Sequence, residues 1–222
     1  MTQTKIRSLQ TTMPNADGWM LVVDTWAYAS ATTITVPSGA ALLYAVGDKI
    51  RLKQGATYKY FYVIVVADTL LTVTGGSDYT VATPTAITDV YYSHVTSPVG
   101  FPQWFNWNST CYGTSGSVGT YSELVTTSKF SIVGRSANIV VMKNINNLGS
   151  WSGNLYMPTP FHLISQHYLG GEVIANAMLT RKGVLHIYSD YMAFESLVAS
   201  TFLGFADLSA NDWVLVQTTV DI

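Results

Sequence analysis

Lys49-Ile50-Arg51-Leu52-Lys53-Gln54-Gly55-Ala56-Thr57-Tyr58-Lys59-Tyr60-Phe61-Tyr62-Val63-Ile64-Val65-Val66-Ala67 is the stretch that decides the fold class. Ile50 and Leu52 alternate with Lys49, Arg51 and Lys53, which is the two-residue period of a half-buried strand with one solvated side. Gln54-Gly55-Ala56 reads as a turn. Tyr58 to Ala67 reads as a long strand with aromatic and β-branched residues on both faces, central in a small sheet or barrel. The same grammar continues outward. Thr32 to Val36 is β-branched at every position and stops at Pro37-Ser38-Gly39, and Val46-Gly47-Asp48 is a turn. Leu70 to Thr74 closes at Gly75-Gly76-Ser77-Asp78, and Val90 to Ser93 follows. Strands recurring about every 8–12 residues with turns between them predict an all-β unit, and the lack of strand–helix alternation argues against a parallel α/β enzyme fold.

Downstream, Ser97-Pro98-Val99-Gly100-Phe101-Pro102 is a junction, followed at once by Trp104, Phe105 and Trp107. Prolines fix an extended path and refuse strand pairing, and so many aromatics predict a stiff connector, with Trp104 and Trp107 buried between two domains. Beyond it, Lys129 to Val133, Ala137 to Met142, Leu155 to Met157, Val173 to Leu179, Val184 to Tyr188 and Trp213 to Val220 read as strands. Arg181-Lys182-Gly183 reads as a hairpin turn. In Ala137 to Met142, Ile139 and Val141 share one face. Such a count predicts a β-sandwich of jelly-roll type. Phe194, Leu197, Val198, Thr201 and Phe202 fall at helix spacing, which allows one short helix near 192–203, with a loop there as the equal alternative. The expected organisation is an arm at 1–16, a small barrel-like β-domain at 17–97, a junction and loop at 98–120, and the sandwich at 121–222.

Composition narrows function. Of 222 residues, 48% are hydrophobic and 11% charged, with a net charge of −2. That charge share is about half that of an ordinary soluble domain. A nucleic-acid partner is not expected, because no basic excess exists. The longest apolar runs are too short to span a bilayer, so membrane insertion is not expected either. The polar start of the chain lacks a signal-peptide core, which predicts synthesis in a reducing cytoplasm. One cysteine, Cys111, excludes an intrachain disulfide framework and a cysteine-based zinc cluster. Sparse charge leaves uncharged surface to be covered, and self-association is the expected way to cover it.

The stretch Tyr44 to Trp107 resembles a segment of structural proteins from tailed bacteriophages. The resemblance is carried by Val46-Gly47-Asp48-Lys49-Ile50-Arg51-Leu52, Lys59-Tyr60-Phe61-Tyr62-Val63 and Leu70-Leu71-Thr72-Val73-Thr74-Gly75-Gly76-Ser77-Asp78-Tyr79. Tyr91-Tyr92-Ser93-His94 and Pro98-Val99-Gly100-Phe101-Pro102 complete it. It covers about a third of the chain well. It implies a small β-domain leading through the Phe-Pro junction into a β-sandwich, in a tail-fibre or receptor-binding protein of the virion that works as a homotrimer in host attachment. The N-terminal region would contact other virion proteins, and the loops of the second domain would meet a host glycan or protein. A capsid decoration or head-fibre protein is the alternative.

Catalytic chemistry is weakly signalled, and the expectation is a non-enzyme with no cofactor or metal. Glu123, Glu172, Asp190 and Glu195 are the carboxylates to weigh for glycan hydrolysis, which needs two of them about 5–10 Å apart in a cleft; nothing in the sequence pairs them. His162 and His167 are five apart, which on a strand puts them on opposite faces. His94 sits beside the junction as a hydrogen-bonded residue. His186 and Tyr188 share a strand face near Asp190, and with Trp151 and Tyr168 they are the candidate contacts for a partner or a glycan. Pro98, Phe101, Pro102, Trp104, Phe105 and Trp107 are the candidate junction residues.

Overall fold

The computed structural model describes residues 16–83, 85–113, 123–145, 154–163, 167–175, 179–196, 201–202 and 212–222. Among them there is no α-helix, only a 3-10 turn at Ala40–Leu42. The chain divides into two compact units, one running to Phe105 and including Ile132–Arg135, the other taking Asn106–Ser131 and Ser136–Ile222. The first unit contains β1 (Met20–Leu21), β2 (Ala27–Ser30), β3 (Thr33–Thr35), β4 (Lys49–Gln54), β5 (Thr57–Ala67), β6 (Leu70–Thr74) and β7 (Ile87–Ser93). They form one antiparallel sheet in the order β1-β7-β4-β5-β6-β3-β2. The end strands β1 and β2 do not pair, so the sheet is open and the expected barrel closure does not occur.

This sheet buries one face and partly covers the other. On one, Ile34, Ile50, Leu52, Phe61, Val63, Leu71 and Val73 form the main core with Trp26 and Tyr92. The other was expected to be solvated, and here the structure corrects the sequence. Lys49 is only 2% exposed. Its ladder partner is Tyr62, and Arg51 faces Tyr60. Aromatic rings supply the cover, and the junction packs on several of them. Phe101 packs on Tyr60, Tyr62, Trp19 and Phe105 at ring-centroid distances of 6.0, 5.0, 6.1 and 5.5 Å. Trp19 Nε1 donates to the Val99 carbonyl at 2.9 Å, and the Val99 N–H donates to the Asp17 carbonyl at 2.9 Å. The Arg51 guanidinium lies 4.3 Å from the Tyr91 ring and 4.8 Å from that of Trp19. A cation on a long apolar stem can be covered this way, because its methylenes join the apolar layer while its charge meets ring faces.

One turn holds the entry to β4. Gly47 has φ +91°, its N–H donates to the Val63 carbonyl, and a Cβ there would run into the Gly134 carbonyl. Only glycine satisfies both conditions.

The remaining strands are β8 (Phe105–Asn106), β9 (Tyr112–Gly113), β10 (Glu123–Val133), β11 (Ser136–Ile145), β12 (Leu155–Pro158), β13 (His167–Ala175), β14 (Leu179–Ile187), β15 (Tyr191–Ser196), β16 (Thr201–Phe202) and β17 (Asp212–Asp221). One sheet runs β17-β11-β10-β8 and the other β13-β14-β15-β12-β9, with β16 paired to β15. Ile139 and Val141 are buried, as their alternation predicts, with Phe130, Val216 and Val220. Lys143, two positions further along that face, is buried as well.

Two expectations fail in this part of the chain. The helix near 192–203 is absent from the described residues of that span: residues 191–196 form β15, and Glu195 and Ser196 pair with Phe202 and Thr201. Pairing on both edges of β15 outweighs a 3.6-residue coincidence of apolar side chains. Arg181-Lys182-Gly183 is not a turn either. It lies inside β14, with Gly171 opposite Gly183. A glycine inside a paired strand leaves the same local mark as a turn glycine.

Candidate binding face

The site is built by β14, β15, β12 and β9 of the second unit. His186 faces Ala193, Ala193 faces Tyr156, and Tyr156 faces Tyr112, so one transverse row crosses four strands. Directly paired residues point to the same side of a sheet. On that side the rings form a continuous strip. His186 stacks on Tyr188 at 6.3 Å and 17°, and Tyr188 stacks on Tyr191 at 4.5 Å and 24°. Tyr191 meets Tyr156 edge-on at 5.2 Å, and Tyr156 meets Tyr112 at 5.7 Å. All five rings are half-buried. The opposite side buries Met157, Ile187 and Met192, which holds the strip on a packed base.

A tight turn joins the two central rings of the strip, Tyr188 and Tyr191. The Tyr188 N–H donates to the Tyr191 carbonyl at 2.8 Å, leaving Ser189 and Asp190 at the tip. The segment after β12 clamps this tip. The Thr159 N–H donates to the Asp190 carbonyl at 3.0 Å, the Leu163 N–H to the Ser189 carbonyl at 2.8 Å, and the Thr159 hydroxyl to the same Ser189 carbonyl at 3.2 Å. The Asp190 side chain meets His162 Nδ1 at 2.7 Å, with both side chains about two-thirds exposed at 69% and 68%. Hydrogen bonding from His162 holds the Asp190 carboxyl below its ordinary range, and the imidazole's charge and the Ser189 hydroxyl act in the same direction. Tyr112 is pushed up by burial and then by the neighbouring Tyr191, Tyr156 and Asp190, so its phenol keeps its proton.

His186 and Tyr188 therefore come together as their shared strand face predicts. Asp190 is drawn to His162 rather than to that pair. Tyr168 stands in β13 opposite His186. Trp151 lies outside the described residues, as do residues 1–15 of the expected arm. Tyr191, Tyr156 and Tyr112 were missed. The alternation Leu155-Tyr156-Met157 marks Tyr156 as facing away from the core, but only the ladder register brings it to Tyr191.

The junction residues divide. Phe101, Phe105 and Trp107 are buried, as is Pro98, while Pro102 is half-buried. Trp104 is 45% exposed, against the expectation that it is covered. Pro98 to Phe105 groups with the first unit, so this part of the connector packs against one domain. His94 bonds Asp48 at 2.7 Å across the first unit, and burial raises the Asp48 carboxyl despite that bond.

Of the four carboxylates weighed for hydrolysis, Glu172 stands opposite Lys182, Glu195 opposite Phe202, and Glu123 begins β10. Asp190 has the depressed pKa of a salt-bridged acid, opposite to what a general acid needs. No group of three or more metal-ligating side chains occurs among the described residues. No helix among them is long and apolar enough to cross a membrane. The chain matches no protein-family model, no curated protein and no solved structure.

Proposed function

We propose that the chain is a non-catalytic structural protein of a tailed-bacteriophage virion, a tail-fibre or receptor-binding component that acts as a homotrimer in host attachment. The observation that carries this reading is the joint folding of the motif residues and the Phe-Pro junction: Phe101 seals Tyr60 and Tyr62 inside one unit. That arrangement is what the phage resemblance implies for a small β-domain feeding a second module. The finer fold of that second module is a jelly-roll-like β-sandwich, supported by the proximity of β13 and β17, which come from different sheets. Leu42, Val99 and Trp104 are exposed at 89%, 68% and 45%, in a chain with 11% charge. The low share of charge is what favours coverage of uncharged surface by copies of the chain or by other virion proteins. The N-terminal region is the particle-facing end of this scheme, and the second unit faces the host. Three copies would raise a weak contact by effective concentration.

The test is antibody labelling of intact particles together with the mass of the purified chain in solution. Label at the tail tip and a threefold mass are expected. Label over the head would replace this reading with capsid decoration, and unlabelled particles would end it.

A further inference from the structure

We infer that the strip formed by His186, Tyr188, Tyr191, Tyr156 and Tyr112, with Asp190 in the turn beside its middle, is a binding site for neutral or amino-bearing oligosaccharides. The inference rests on the attachment reading above and deepens it by naming the ligand class.

Three features of the geometry point to sugar. The first is the ring type. Tyrosines have an apolar body and a hydrogen-bonding tip, and here four of them with one imidazole stand half-buried in a continuous row. A pyranose offers the matching pair of surfaces: an apolar C–H face for the rings and hydroxyls for phenols and carboxylate. The second is rigidity. Ser189 and Asp190 are held by backbone donors from Thr159 and Leu163, and Met157 and Met192 are fully buried beneath the strip. A preformed site loses little entropy on binding, which a shallow sugar contact requires. The third is charge. Asp190 is exposed and its pairing with His162 keeps it in the anionic form. It accepts bonds from sugar hydroxyls or an ammonium and repels carboxylated sugars. A continuous row of rings suits a chain of sugar rings better than a single anchoring side chain of a peptide.

The experiment uses the full chain on a printed array holding neutral, amino-bearing and carboxylated oligosaccharides, followed by titration calorimetry with the best binder. Binding to neutral and, more tightly, to amino-bearing members is expected, with carboxylated members unbound. Tyr191→Ala should weaken the interaction by about ten-fold, the worth of one good ring contact. Asp190→Asn, at an exposed position, should leave circular dichroism unchanged and abolish the preference for amino-bearing over neutral sugars. An empty array, binding confined to carboxylated sugars, or wild-type affinity and preference in both variants overturns the inference. An empty array with labelled particles defeats this inference alone. Sugar binding with unlabelled particles defeats the virion reading alone.

Discussion

Replacing Phe101 by alanine tests whether the proline-aromatic segment is part of the first unit's fold. The ring is 5% exposed and touches Trp19, Tyr60, Tyr62 and Phe105. Removing a buried phenylalanine usually costs about 3–5 kcal/mol, the spread reflecting how far the cavity collapses. Here the segment hangs on two hydrogen bonds at Val99, whose carbonyl accepts from Trp19 Nε1 and whose N–H donates to the Asp17 carbonyl, and it can settle inward. The lower end, about 3 kcal/mol, is therefore expected. Ring-pair energies of about 0.5–1.5 kcal/mol each are already contained in that figure and are not added again. For a chain of this size the melting temperature should fall by roughly 6–12 °C. Trp104→Ala, three residues away at 45% exposure, is the control and should cost less than about 1 kcal/mol. Urea unfolding followed by tryptophan fluorescence reads both, with the unmodified chain as reference. If Phe101→Ala is no more harmful than Trp104→Ala, the segment is a loose connector and its packing on Trp19, Tyr60 and Tyr62 does not stabilise the unit.

Gly47→Ala and Gly39→Ala both force a side chain to a φ near +90°, but only at position 47 does the new Cβ meet backbone, the Gly134 carbonyl. Gly39→Ala should cost about 1–2 kcal/mol and Gly47→Ala distinctly more; equal losses in thermal unfolding would remove the case for a close approach there. Asp48 provides a pH test. Burial lifts its folded carboxyl above the ordinary 3.8, so its contribution to stability is fully present below the unfolded value and is lost as pH rises through the folded one. Denaturation of the wild type and Asp48→Asn across the acid range should show the wild type gaining on the variant as pH falls, and the reverse trend would mean that the bond to His94 dominates.

Much of the first unit was legible because its signals are local. Ile50 and Leu52 announce their face by alternation alone, and Val46-Gly47-Asp48 announces the turn. The opposite face was not legible for the same reason. Lys49, Arg51 and Lys53 look solvated in any window of the chain, and the rings they meet come from Trp19 upstream, Tyr58 and Tyr62 in the next strand, and Tyr91 forty residues beyond Arg51. Phe101 gave a signal as part of an unusual Phe-Pro junction, but nothing in the spacing says which surface it covers. The false helix and the false hairpin at Arg181-Lys182-Gly183 have a common cause. Both are places where pairing with a distant strand sets the conformation and the local sequence is indifferent.

The binding face divides along the same line. His186 and Tyr188 are two apart on one chain segment, so a period of two finds them. Tyr191 follows through a tight turn and is still nearly local. Tyr156 and Tyr112 arrive from other strands, about thirty and eighty residues away, and only register places them. Yet the row has its own logic once one rung is known. His186, Ala193, Tyr156 and Tyr112 are successive ladder partners, and the small residue among them, Ala193, is fully buried. Its methyl group lies beneath its neighbours, so the side chains on either side can approach over it. A bulky residue at position 193 would have to rise into the ring layer and part Tyr191 from Tyr156, which pack together at 5.2 Å. The continuity of the strip thus depends on the residue in it with the least side chain, and reading for aromatic residues alone would never select it.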